Sequence, residues 1–217
     1  TQELLKKLLE RKKPLQAFKC PEENPQPQMK REHWKNLNGE WDFSFDFGCS
    51  GIDQKWQEGK TDWEKKILVP FCPESDLSGI GYKDFIPGVW YHRTITLTGE
   101  ELKGDLLLHF GAVDYDARVW INGVEAGRHQ GGYVSFTFNI TKLVKEGEND
   151  ITLFAADDVR GGKQPKGKQS HFFTSRGCDY TRTTGIWQTV WLEWVPESYI
   201  EKVQYYPNLA EATLGIK

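Results

Sequence analysis

Two adjacent carboxylates, Asp157 and Asp158, are the residues of this sequence best placed to do chemistry. They stand where the apolar run "NDITLFAA" (149–156) gives way to a long stretch rich in Gly, Lys and Gln, and binding residues concentrate on loops carried by a rigid β scaffold. Asp179 and Arg182 return from the far end of that stretch, so the four residues are expected to form a small polar cluster. Neighbouring carboxylates suit a hard cation such as calcium or sodium, although no EF-hand spacing is present, and an Asp pair is equally a turn initiator. Glu22-Glu23 and Glu100-Glu101 read as solvated loop residues, so no carboxylate pair marks a hydrolytic centre.

Two other motifs invite a chemical reading and fail it. "GKQPKGKQ" (162–169) has the spacing of a phosphate-binding loop, but Gln169 stands where Ser or Thr would hold magnesium, Pro165 interrupts the loop, and no helix follows. "VWINGVEAGRHQGGY" (119–133) places His129 among glycines without an acid or a thiol at catalytic spacing. A lone histidine of this kind is a structural hydrogen-bonding residue. Asn122-Gly123 in the same stretch is a strong two-residue hairpin signal, because both central positions need a positive φ, and Gly131-Gly132 permits a second reversal.

The elements that must position these residues are strands. "WDFSFDF" alternates strictly, with Trp41, Phe43, Phe45 and Phe47 on one face. "VWYHRTITL" (89–97), "DLLLHFGAV" (105–113) and "YDARVWI" follow, the last with Tyr115, Ala117, Val119 and Ile121 on one face. "YVSFTFNI" (133–140), the run before Asp157, and "GIWQTVWLEWV" (185–195) complete the set, with Ile186, Val190, Leu192 and Trp194 aligned in the last. Short strands separated by Gly, Pro, Asn and Asp without intervening helices predict an antiparallel sandwich. Ahead of it, "QELLKKLLERKK" places Leu4, Leu5, Leu8 and Leu9 on one face of a short helix that Pro14 ends. An extended Pro-rich arm then runs to residue 33, and Trp34 and Leu37 dock its end.

Composition narrows the function. The 217 residues include nine Trp, twelve Phe and eight Tyr, which suit a packed β core. Lys and Arg total 28 against 31 Asp and Glu, a net charge of -3, so the concentrated basic surface of a nucleic-acid binder is absent. No apolar run reaches the roughly 20 residues of a membrane span. Cys20, Cys49, Cys72 and Cys178 contain no C-x-x-C pair, which excludes a zinc ribbon or thioredoxin-type site and reads as free thiols in a reducing compartment.

Several long motifs in order resemble the N-terminal sugar-binding domain of glycoside hydrolase family 2. They are "WKNLNGEWDFSFD" (34–46), "VPFCPESDLSGI" (69–80), "GVWYHRTITL" (88–97), "FGAVDYDARVWINGVEAGRHQGGYVSFTFNIT" (110–141), "PKGKQ" (165–169) and "YTRTTGIWQTVWLE" (180–193). The resemblance implies an all-β fold, an antiparallel jelly-roll β-sandwich of the galactose-binding type over residues 34–196. The helix and arm (1–33) precede it, and the start of an immunoglobulin-like sandwich (197–217) follows. It implies a parent that hydrolyses O-glycosyl bonds, of β-galactosidase or β-glucuronidase type, whose acid/base and nucleophile glutamates are on a separate (β/α)₈ barrel. This chain is then non-catalytic, and its loops shape the sugar site at the barrel's mouth. Asp158 matches by position an Asp that in lactose-cleaving members contacts sugar and sodium, although "AADDV" replaces the Trp-Ser-Asp-Gly type sequence found there. The loop "LSGIGYKDF" (77–85) matches a second site-reaching loop and adds Tyr82 and Asp84. The expected partners are a carbohydrate and the following domains of the parent, which the resemblance makes a homo-oligomer; no cofactor, nucleic acid or membrane is expected. An autonomous carbohydrate-binding module and a pure interaction module are the competing readings.

Overall fold

The computed structural model describes residues 21–217. The amphipathic helix expected over residues 2–13 and Cys20 lie outside the described residues. β1 (Trp34–Asn36), β2 (Gly39–Phe45), β3 (Lys65–Val69) and β4 (Gly88–Leu97) come first. β5 (Asp105–Phe110), β6 (Val113–Asp114), β7 (Asp116–Ile121), β8 (Val124–Gln130), β9 (Phe136–Asn139) and β10 (Gly147–Ala156) follow. A long loop leads to β11 (Gly185–Ile186), β12 (Val190–Val195), β13 (Tyr205–Asn208) and β14 (Thr213–Ile216). Among the described residues helix occurs only as three-residue 3-10 turns, at Pro27–Met29, Trp56–Glu58 and Asp76–Ser78.

The strands pair antiparallel into the expected sandwich. One sheet has the order β1-β12-β5-β9 and the other β3-β2-β4-β10-β7-β8. Alternation decides which side chains meet between them. Trp41 and Phe43 of β2, Val89 and Tyr91 of β4, Val119 of β7 and Leu153 of β10 pack against Leu106, Leu108 and Phe110 of β5 and Leu192 of β12. The residues between these on the six-stranded sheet point outward and build a second aromatic layer. Trp90 stacks on Trp120 at 5.5 Å and leans on Phe154 at 5.0 Å, and Ile52, Trp56 and Trp63 of the loop after β2 cover them.

Two expectations from alternation are corrected by what ends the strands. Phe47 does not continue the inward face of β2; it is 54% exposed. Asp46 stops the strand, because its carboxylate accepts the backbone N–H groups of Ser50 (3.0 Å) and Gly51 (2.8 Å) and turns the chain. Phe47 is left stacked on Phe45 at 5.2 Å. Tyr115 departs similarly: Ala117, Val119 and Ile121 are buried, whereas Tyr115 sits half-buried between β6 and β7.

The hairpin reads as expected, with an addition. Asn122 (φ +52°) and Gly123 (φ +79°) form the two-residue turn between β7 and β8. The Asn122 side chain also donates to the Leu143 carbonyl and to Asn149 Oδ1, both at 2.9 Å, and accepts the Asp150 N–H at 3.0 Å. Asn122→Gly keeps the backbone conformation but removes all three bonds, one of them to an Asn149 that is fully buried. A loss of about 2 kcal/mol is expected, read as a lower urea midpoint at unchanged m. Gly131 opens the next reversal, its N–H on the Tyr115 carbonyl at 3.1 Å. His129 secures it differently from the sequence expectation. It stacks on Phe136 at 4.3 Å, and its Nε2 has no hydrogen-bond partner among the described residues.

Candidate functional site

β2, β8 and β10 end, and β4 and β7 begin, at one end of the sandwich, as Phe45↔Val89, Ala156↔Gly88 and Asp116↔Gln130 require. The two long loops, 70–87 and 157–184, meet at this end. Val69 leaves the opposite end of β3, so residues 70–87 must travel the height of the sandwich to reach Gly88. Residues 157–184 leave β10 here and return to the β11–β6 ladder.

The Asp pair divides its roles. Asp157 is 5% exposed; its Oδ1 accepts Gln164 Nε2 at 2.6 Å and its Oδ2 accepts the Thr184 hydroxyl at 3.1 Å. Asp158 is exposed and accepts the Gly161 N–H at 3.0 Å, the turn-initiating geometry. Both border an open cleft of about 420 Å³ that Cys49, Tyr115, Gln130 and Lys163 also line.

Asp179 and Arg182 do not complete that cluster. Asp179 is half-buried, 3.6 Å from Lys166 Nζ and bonded through its backbone to Arg176. Arg182 is 2% exposed and turns toward the other loop. Its guanidinium donates to the carbonyls of Phe172 (2.6 Å), Phe173 (3.1 Å) and Lys83, and lies 4.5 Å over the Phe85 ring. Arg160 covers the same ring at 4.0 Å. Phe85 is thereby held between two cations, a favourable arrangement for an aromatic face. Tyr82 packs into the core edge against Phe45 at 5.0 Å. Asp84 is exposed and bonds the following N–H of Phe85 at 2.8 Å.

The residues that do join Asp157 were not singled out in the sequence. Glu74, on the loop 70–87, accepts the Thr184 N–H at 3.2 Å. Asp114, on β6, accepts Gln169 Nε2 at 2.7 Å, and Gln169 Oε1 accepts the Thr183 N–H at 2.7 Å. Gln169, the residue that breaks the phosphate-loop motif, is thus a buried crosslink between β6 and the returning loop. Burial pushes the Asp114 and Asp157 carboxyls up to about 7, with the Asp157 charge adding to the shift of Asp114, and burial also raises Glu74. Gly132 is required beside this cluster, since any side chain there would collide with the Asp114 carboxyl. One signal could have found Asp114: an acid in the middle of the apolar run "FGAVDYDARVW". Among the described residues no three His, Cys, Asp or Glu side chains are arranged to hold a metal ion, and Asp158 Oδ1 accepts the Gly161 N–H of a backbone turn.

Comparison with known proteins agrees with this architecture. The model described as "Glycosyl hydrolases family 2, sugar binding domain" matches residues 82–196. The β-glucuronidase of Felis catus is 28% identical over 219 residues, covering 87% of this chain and 32% of that protein. The Sus scrofa β-glucuronidase is 29% identical, again across 87% of the chain and 32% of the relative. The chain therefore spans about a third of the length of these relatives. Among solved structures, an uncultured Clostridium sp. β-glucuronidase superposes with a TM-score of 0.68 at 24% identity, over 88% of this chain and 33% of that one. The Ruminococcus gnavus β-glucuronidase gives 0.66 at 22% identity, over 82% and 32%.

Proposed function

Because the chain belongs to glycosyl hydrolase family 2 through its sugar-binding domain, we propose that it is the non-catalytic, site-shaping part of a β-glucuronidase-type glycosidase. The observation that carries this reading is the alignment of β-glucuronidases along 87% of this chain with only 32% of their own length. The family's hydrolysis, as the resemblance implies it, is retaining and uses two carboxyl groups about 5 Å apart on a barrel. The buried acids here serve a different end: they are bound to loop amides and hydroxyls. What the chain offers a sugar is the loop end of the sandwich, where Asp157, Asp158, Asp179 and Arg182 stand on one loop and Tyr82 and Asp84 on the other. Residues 197–217 are assigned to the start of a following immunoglobulin-like domain. In support, β13 and β14 pair, among the described residues, only with each other, and their side chains are exposed.

The 217-residue chain is expected to release no chromogenic aglycone from aryl β-glucuronides or β-galactosides. It is also expected to show weak or no chemical-shift response on NMR titration with glucuronate, galactose or mannose. Aglycone release would overturn the non-catalytic role. Tight saturable binding would instead favour an autonomous carbohydrate-binding module.

A further inference from the structure

We propose that Glu74, Asp114 and Asp157 form a proton-holding latch: the cluster retains a proton while loops 70–87 and 157–184 are closed over the end of the sandwich, and gives it up as the medium passes from acid to neutral and the loops loosen. The inference stands apart from sugar binding and from the identity of any substrate.

Three observations carry it. First, the acids come from three separate elements and are 3%, 1% and 5% exposed, and Thr184 joins two of them, its N–H on Glu74 and its hydroxyl on Asp157. Second, two of their oxygens, Glu74 Oε1 and Asp114 Oδ1, are buried without a hydrogen-bond partner among the described residues. Buried anionic oxygens left so are costly, and the usual resolution is that a group neutralises. Third, the cations nearby are committed elsewhere. Arg182 serves the carbonyls of Lys83, Phe172 and Phe173. Lys166 serves the Gln169 carbonyl at 2.7 Å and Asp179, and Arg128 pairs with Asp116. Lys163 lines the same open cleft as Asp157, but among the described residues no ion pair joins the two, and its charge is not among the influences on the Asp157 carboxyl. The remaining titratable groups that act on the cluster are Asp158, which adds negative charge beside Asp157, the Cys72 thiol and the Tyr91 hydroxyl near Glu74, and the Tyr133 hydroxyl near Asp114. None of them brings a positive charge, which leaves a proton as the compensating one.

The direction follows from linkage. Asp114 and Asp157 sit at about 7 when enclosed, against an ordinary 3.8 when solvated. The closed form binds more protons than the open form between these values, so closure is strongest on the acid side. It weakens as pH rises through the window and changes no further above it.

Hydrogen exchange of the intact chain tests this, with each rate corrected for the intrinsic pH dependence of exchange. Amides of residues 157–184 are expected to lose protection at least about tenfold between about pH 5 and about pH 8, one decade being one unit of proton linkage. Amides of β4 and β5 serve as an internal reference for global stability. In Asp114→Asn and Asp157→Asn, each of which removes one ionisable group and keeps the shape, the pH dependence of that segment is expected to flatten. Retention of the full dependence in both variants, or wild-type protection that does not vary with pH, overturns the latch. A variant that fails to fold is recognised by the reference amides, and the wild-type profile then decides.

Discussion

Arg182→Ala is expected to destabilise the chain by about 3 kcal/mol and to separate the two loops at the end of the sandwich. The side chain is 2% exposed and is the shared donor to Lys83 on one loop and to Phe172 and Phe173 on the other. Hydrogen bonds to a charged group contribute roughly 1.5–3 kcal/mol each, but Phe172 and Phe173 lie on an exposed segment where water can replace the donor, so the sum is discounted. The loss also removes one of the two cations on Phe85. Arg182→Lys is expected to recover little of it, because a point charge cannot reproduce a planar fork that serves three carbonyls at once. Thermal denaturation reads the stability term, and limited proteolysis within residues 157–184 reads the loop. Unchanged proteolysis in the alanine variant would show that the guanidinium does not join the loops.

The second large effect is on the outer aromatic layer. Trp90 is fully buried, donates its Nε1 to Asp46 Oδ2 at 3.0 Å, and touches Trp56, Trp120 and Phe154. Trp90→Ala removes the centre of that layer and leaves the buried Asp46 carboxylate short of a donor. Truncation of a buried Trp costs about 3–5 kcal/mol, a large part of the roughly 5–15 kcal/mol that holds a domain together. The expected outcome is a chain unfolded or nearly so at 37 °C, with the residual structure followed by circular dichroism. Trp90→Phe keeps most of the packing and loses only the hydrogen bond, so it is expected to retain the fold at a cost of about 1.5 kcal/mol. Equal losses in the two variants would assign the effect to Asp46 alone.

The strands were legible in the sequence because alternation is local. Trp41 and Phe43, or Ala117, Val119 and Ile121, announce a buried face within a few residues, and Asn122-Gly123 announces its own turn. The candidate site was legible only in part. Asp157 was singled out because it ends an apolar run. Glu74 is brought beside it by a loop that climbs the sandwich, and Asp114 and Thr184 by and next to a two-residue ladder, neither of which has a sequence period. The charge of Arg182 is plain in the sequence, but nothing there shows that backbone carbonyls, rather than carboxylates, await it. In the sequence Gln169 shows only as the residue that breaks the phosphate-loop spacing, whereas its two bonds tie β6 to the returning loop.

The order of strands in the two sheets also sets the order in which they can assemble as the chain leaves the ribosome. Every strand of the six-stranded sheet lies between Gly39 and Ala156, so that sheet is complete once β10 has emerged. β1, although first in order, pairs among the described residues only with β12, Trp34 opposite Glu193. The first strand of the described residues is therefore among the last to be seated. Closing so long a loop is entropically slow, and until it closes the inner face of the six-stranded sheet, with Trp41, Phe43 and Tyr91 upon it, has only β5 and β9 of the opposite sheet to cover it. Apolar surface left part-covered during synthesis is what makes an incompletely folded chain prone to aggregate.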